Sequence, residues 1–490
     1  MAGIMRSMCA PATRLIVLAT SDLHGARTSD PASGSPADLG TTILVDNGDA
    51  FGGPGGLRFS LQGGDCSTIR WMNDLGLAAM NVGNHDLDQG VEGLVDRARQ
   101  AAFPLVSANL LDGDALLLPD RAEVDTPAGR VGITGALTPA ARDMWPPSLR
   151  GRLRVTDPVA ALSQTCAALR RSCRYVIALA HLGFRIGPEP LVEPPADPPV
   201  DSPADPPVES PGENPGEALV AALTQDSGDG RPLADCVVLG HTHVPHASVR
   251  GRTAILSPPS RGRGLGRAFL GAGPVAAELR VLAAPAAGAG PAAGAGPVAG
   301  AGPAAATDAD RAEVASLVGR ALRTDAPTLG AQVLAAARAL GADGVVVTRR
   351  VEPQGPAVHT LGEALARAPL LEPLVLLEID DAGLSEVLAT RDRHAALADT
   401  AGDLHVARRH RWHAFDLVTD PRSSPPNRAW RLLVPASWSG GYAGYDPFGR
   451  ARIVAEPGLD LVQLLLVASR FDDKVQVRGA KDKPIDGTGR

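Results

Sequence analysis

Short aliphatic, β-branched runs, each closed by a polar cluster, punctuate the first half of the chain. Leu15 to Ala19 runs into Ser21-Asp22-Leu23-His24-Gly25, and Thr42 to Val45 into Asp46-Asn47-Gly48-Asp49. Leu77 to Met80 leads to Asn81-Val82-Gly83-Asn84-His85-Asp86-Leu87-Asp88. Tyr175 to Ala180 delivers His181, and Cys236 to Leu239 delivers Gly240-His241-Thr242-His243. Phe103 to Asn109 and Val131 to Gly135 read as two more strands. Apolar runs of this length, bounded by turn residues, predict buried strands. Between them, helical stripes at Gly90 to Arg99 (Val91, Leu94, Val95, Ala98), Pro158 to Arg170 and Gly216 to Leu223 predict crossover helices. Strands alternating with helices make a layered α/β fold. Polar groups at the carboxyl ends of its strands converge on one crevice. That convergence is what makes the recurrence more than coincidence.

Two stretches break the pattern. Gly187 to Glu217 repeats Pro-Ala-Asp-Pro-Pro and cannot build a core, so it reads as an extended insertion. Ala283 to Ala306 repeats Ala-Gly-Ala-Gly-Pro and reads as a linker. Beyond it, Ala312 to Leu322 and Thr328 to Leu340 are helical in pattern, and Ala382 to Leu388 reads as a short helix. Gly344 to Val347, Leu374 to Ile379 and Trp430 to Val434 read as strands. The expected organisation is a first domain over 14–282, a linker over 283–306, a smaller α+β domain over 307–471 and a polar tail over 472–490.

Composition narrows the classes. The 490 residues suit two or three domains, and the formal charge of −7 leaves no basic footprint for nucleic acid. No apolar run approaches the ~20 residues needed to span a bilayer, so no membrane partner is expected. Met1 to Thr13 has one arginine and no sustained apolar core, so no cleavable export signal is expected there. Five cysteines form no Cys-x-x-Cys pair and suit free thiols in a reducing, cytoplasmic compartment. Oligomeric state is not legible.

The polar clusters carry the chemistry. Asp22 and His24 are two apart in an extended segment and can face one ion together. His85 and Asp88, three apart, can share a helical face, a carboxylate behind an imidazole. Gly83 suggests a backbone conformation that a side chain would oppose. The Gly52-Gly53-Pro54-Gly55-Gly56 loop lacks the Lys-Ser/Thr of a phosphate-cradling loop and reads as flexible access. His246, His405, His410 and His413 have no ligand spacing and read as surface residues.

Asp22-Leu23-His24, Gly48-Asp49, Gly83-Asn84-His85-Asp86, His181 and Gly240-His241-Thr242-His243 resemble, in order, the motif set of calcineurin-like metallophosphoesterases. Asp88 and Ser107-Ala108-Asn109-Leu110 narrow the resemblance to the branch of 5′-nucleotidases and 2′,3′-cyclic-nucleotide phosphodiesterase/3′-nucleotidases. It covers about Arg14 to Leu270, and more loosely the second half. It implies a four-layer α/β/β/α catalytic domain followed by a smaller α+β domain.

The resemblance further implies two divalent ions, of Mn, Zn, Fe or Co. Asp22, His24 and His243 would hold the first, Asn84, His181 and His241 the second, and Asp49 would bridge. A metal-bound hydroxide would attack a nucleotide phosphate monoester in line, with His85 protonating the leaving oxygen and Asp88 orienting it. The alternatives are a cyclic-nucleotide phosphodiesterase or a nucleotide-binding protein without turnover. Where the family has an Asn-x-Gly-Gly-x-Arg loop, this chain has Thr348-Arg349-Arg350-Val351-Glu352-Pro353. Where it has Gly-Gly-Asp-Gly-Tyr, this chain has Gly440-Gly441-Tyr442-Ala443-Gly444-Tyr445. Arg349 and Arg350 are candidate phosphate contacts or solvated arginines. Trp438 is a candidate base-stacking ring, with Trp412 or Phe415 opposite, or a core residue. Asn109 is a candidate substrate contact.

Overall fold

The computed structural model describes residues 14–26, 41–51, 67–184, 215–271, 273–281, 326–348, 354, 357, 359, 374–400, 415–419, 429–441, 445–457, 461, 464 and 465. The expected linker, the helix at Ala312 to Leu322, the Gly52 to Gly56 loop, the tail, and most of the proline-rich insertion lie outside them.

Two six-stranded sheets, with a small three-stranded sheet of Ala115–Leu116, Leu110–Asp112 and Leu153–Val155 beside them, form the first half. The first runs, in spatial order, Ala276–Val281, Gly264–Leu270, Leu15–Thr20, Thr41–Asp46, Ala79–Asn81, Leu105–Val106. The second runs His246–Arg250, Thr253–Ser257, Cys236–Leu239, Tyr175–His181, Val131–Leu137, Arg121–Val124. Strand alternation explains the layering. Leu15, Val17, Ala19, Ile43 and Val45 pack against Val131, Ile133, Ile177, Leu179 and Val238 between the sheets. Their neighbours Ile16, Leu18, Leu44 and Met80 face outward onto Ile69, Met72, Val91 and Leu94 of the helices Ser67–Asp74 and Gly90–Gln100. On the opposite flank Val176, Ala178, Ala180 and Val237 meet Leu162, Cys166, Leu169, Leu219 and Leu223 of the helices Pro158–Arg170 and Pro215–Leu223. The central strands of each sheet are covered on both faces, which is why they read as unbroken apolar runs. The architecture is the four-layer α/β/β/α sandwich.

The second half holds a five-stranded sheet, ordered Phe415–Thr419, Gly344–Thr348, Trp430–Pro435, Leu374–Ile379, Arg452–Ala455. The helix Leu329–Ala339 packs on one face through Leu329, Val333, Ala336 and Ala337. The helix Asp381–Thr400 packs on the other through Leu384 and Val387.

Two elements differ from expectation. The short helix at Ala382 to Leu388 extends to Thr400, because no glycine or proline interrupts 384–400 and Thr390 and Ala398 continue its buried side. The strand at Phe103 to Asn109 keeps only Leu105–Val106. The chain then leaves the first sheet, as Ser107 N–H donates to Pro119 O and Ala108 N–H to Gly135 O.

Candidate metal centre

Five strand ends open onto one buried crevice, and side-chain amides stitch the two sheets together beneath it. Asn47 Nδ2 donates to Ala180 O at 3.0 Å, and Asn81 Nδ2 to Ala136 O at 3.0 Å. Asp86 gathers two loops, accepting the N–H groups of Asp49, Phe51 and Gly83 at 2.9, 3.0 and 2.8 Å. Asn47, Asn81 and Asp86 were visible in the strand-end clusters, but spacing alone assigned them no role. Their complete burial is what marks them.

Above this floor the seven candidate ligands come together. His243 Nε2 lies 3.3 Å from Asp22 Oδ1 and 3.1 Å from His24 Nε2. His181 Nε2 lies 3.1 Å from Asp49 Oδ2 and 3.2 Å from Asn84 Oδ1, and His241 Nδ1 is 2.9 Å from the same amide oxygen. Among the described residues, Asp22, His24 and His243 form one group able to hold a metal ion, and Asp22, Asp49 and His181 another.

Backbone strain is concentrated here. Asp22, His24, Asp49, His241 and His243 all adopt left-handed φ values of 48° to 71°. Such conformations cost about 1–3 kcal/mol each and persist where the surroundings over-determine them. Gly83 does not share them, contrary to expectation. It is required by space, since a Cβ there would overlap Asp49 Oδ1 and the Asp49 amide. Gly48, at φ +94°, is the position whose backbone needs glycine.

Electrostatics tie the group together. Burial pushes Asp49 and Asp22 up, but His181 and His243 respectively outweigh it and hold both carboxyls below their ordinary range. Burial alone would lower His181, yet Asp49 and Asp22 push it up to about 10. His181 thus holds its proton between the two carboxylates. A divalent cation would supply the positive charge in place of that proton, and this all-N/O donor set fits one. Behind it, burial raises Asp46 to about 8 and Asp86 to about 7.

His85 borders the group, its ring 5.4 Å from that of His24, and its Nδ1 lies 3.1 Å from Asp88 Oδ2. The remaining candidates do not join it. Asn109 is fully buried, donating to Leu137 O and Thr156 O at 2.8 and 2.9 Å and accepting from Leu137 N at 2.8 Å. With its amide saturated by backbone it braces a chain crossing and offers nothing to substrate. Trp438 is 2% exposed and stacks on Tyr445 at 5.3 Å with Phe415 at 5.4 Å, inside the core of the C-terminal sheet. It is therefore a packing residue, and so is Phe415. Arg349, Arg350 and Trp412 lie outside the described residues.

No family model matches the chain. A 5′-nucleotidase of Vibrio parahaemolyticus is 26% identical over 188 residues, 35% of this chain and 33% of that protein. A 2′,3′-cyclic-nucleotide 2′-phosphodiesterase/3′-nucleotidase of Yersinia enterocolitica is 28% identical over 210 residues, covering 36% and 32%. A 5′-nucleotidase of Bos taurus is 30% identical over 212 residues, covering 36% of each. The matches thus span about a third of the length of these curated relatives. A crystal structure of a 5′-nucleotidase precursor from Thermus thermophilus shares the fold at a TM-score of 0.57 and 15% identity, covering 93% of this chain and 96% of that one. A Staphylococcus aureus structure described as a 5′-nucleotidase does so at 0.66 and 17%, covering 96% and 99%. The first half of the chain thus shares its ordered motifs with 5′-nucleotidases and 2′,3′-cyclic-nucleotide phosphodiesterase/3′-nucleotidases, which are calcineurin-like metallophosphoesterases, and the whole chain shares the fold of the two crystal structures.

Proposed function

We propose that the chain is a metal-dependent phosphohydrolase that cleaves the phosphate monoester of a nucleotide. The observation that carries this reading is the meeting of Asp22, His24, Asp49, Asn84, His181, His241 and His243 at one buried crevice. Asp22, His24 and His243 would hold one divalent cation, Asn84, His181 and His241 a second, with Asp49 shared between them. Such a pair neutralises phosphoryl oxygens and supplies a nucleophile at neutral pH. His85 would then deliver a proton to the leaving oxygen while Asp88 holds its Nδ1, a contribution of ~10²–10⁴-fold. Mn, Zn, Fe and Co all suit the donors. The described cysteines, Cys166, Cys173 and Cys236, are buried free thiols, which fits a cytoplasmic enzyme.

The relative from Yersinia enterocolitica supports a second substrate class, 2′,3′-cyclic nucleotides. Protein reconstituted separately with each of the four metals and assayed on p-nitrophenyl phosphate, AMP and 2′,3′-cyclic AMP separates the cases. Turnover of AMP above the cyclic ester is expected. Preference for the cyclic ester would install the second reading, and failure on all three with every metal would leave only a binding protein.

A further inference from the structure

Between the strands Val131–Leu137 and Leu153–Val155 the catalytic half folds two short helices, Ala141–Met144 and Pro147–Arg152. This segment touches the metal centre at one end and the C-terminal half at the other. Met144 Sδ lies 3.3 Å from Nδ2 of Asn84, whose Oδ1 faces His181 and His241. Arg150 Nη2 donates to Ser439 Oγ at 2.6 Å, and Ser148 N–H donates to Glu456 Oε1 at 2.9 Å. Ser439 Oγ in turn donates to Ala436 O at 2.6 Å, fixing the turn Trp438–Gly440 that begins the Gly440-Gly441 loop.

Gly440 faces the guanidinium directly. A Cβ there would overlap Arg150 Nη1, so any side chain at 440 would displace the arginine head. Arginine suits the place because its planar fork can lay one nitrogen over the loop backbone while the other reaches Ser439. A lysine presents one point charge and cannot do both.

We propose that Arg150 is a positioning residue at the contact between the two halves. It clamps the 438–441 turn of the C-terminal domain to the segment that carries Met144 against Asn84. Gly440 is the small residue that admits the clamp. The inference rests on the phosphohydrolase reading for its kinetic consequence, although the clamp itself does not depend on turnover. It also gives Gly440 a role, at a contact between the two halves.

The test uses four manganese-loaded proteins: wild type, Arg150→Ala, Gly440→Ala and the double variant. Each single change should raise KM for AMP roughly tenfold, the size of one lost charge-assisted hydrogen bond, with kcat little changed. The double variant should be no worse than either single one, because both remove the same contact. Arg150→Lys should not restore KM. Losses that add, a fall confined to kcat, or singles indistinguishable from wild type would overturn the assignment. Small-angle X-ray scattering of the same proteins without ester needs no turnover. The three variants should share one pair-distance distribution, broader than that of wild type, and four identical distributions would overturn the clamp. A wild type that hydrolyses no ester would sink only the phosphohydrolase reading, leaving the scattering comparison to decide the clamp.

Discussion

Asp49 Oδ1 accepts the backbone N–H of His85 at 2.8 Å. The carboxylate at the middle of the ligand set therefore also holds the turn that carries the candidate acid. In the proposed mechanism ligand geometry and proton delivery would be coupled through this one hydrogen bond, and the glycine beside it has no slack.

Gly83→Ala probes that coupling. Its methyl group would overlap Asp49 Oδ1 and the Asp49 amide, both held by buried partners. Overpacking of this kind costs about 1–3 kcal/mol. The variant should unfold earlier in urea and bind manganese more weakly in equilibrium dialysis. Wild-type manganese affinity would contradict the close packing described.

His85→Ala should separate chemistry from metal binding. Its imidazole lies beside the ligand group and is oriented by Asp88, without belonging to either metal-binding cluster. Metal content should stay at the wild-type level while kcat falls ~10²–10⁴-fold on a substrate with a poor leaving group. Asp88→Asn should cause a smaller fall. The loss should shrink on p-nitrophenyl phosphate, whose leaving group needs less protonation. Equal losses on both esters would argue against a proton-donating role.

Trp438→Ala distinguishes a core ring from a base-stacking one. The ring is buried against Phe415, Tyr445 and Phe448, so its removal should cost about 3–5 kcal/mol in urea unfolding. Trp438→Phe should recover most of that stability. A variant with normal stability and a raised KM for AMP would restore the stacking role.

The fold was legible because its strands are buried on both faces and so appear as apolar runs with polar ends. Leu15 to Ala19 and Tyr175 to Ala180 needed no tertiary information to be recognised. The candidate ligands come together for the same reason: strand ends fix where Asp22, His24, Asp49, His181 and His241 must project. Trp438 stayed open between stacking and core, and Asn109 was taken for a substrate contact, because their neighbours are remote in sequence. Nothing near residue 438 announces that Phe415 and Tyr445 close over it, and nothing near residue 109 announces the backbone of Leu137 and Thr156. Arg150 escaped notice for a similar reason, since its partner Ser439 lies far along the chain.

A buried ion pair away from the site gives the last prediction. Arg170 Nη1 lies 2.8 Å from Asp235 Oδ2, and Asp235 also accepts Val176 N–H at 2.8 Å. Burial raises the Asp235 carboxyl above its ordinary range, and the Arg170 charge offsets this only in part. Arg170→Ala removes the offset and leaves a desolvated carboxylate, a loss of about 3–5 kcal/mol. A carboxyl whose folded pKa exceeds its unfolded one contributes its stability at low pH and loses it as pH rises through the folded value. The penalty of Arg170→Ala should therefore be larger at pH 8 than at pH 5 in urea unfolding. Adding Asp235→Asn should remove that slope, because the amide has no proton to release in this range. A slope that survives in the double variant would have to come from another group, and the pair would then contribute through packing and hydrogen bonds alone.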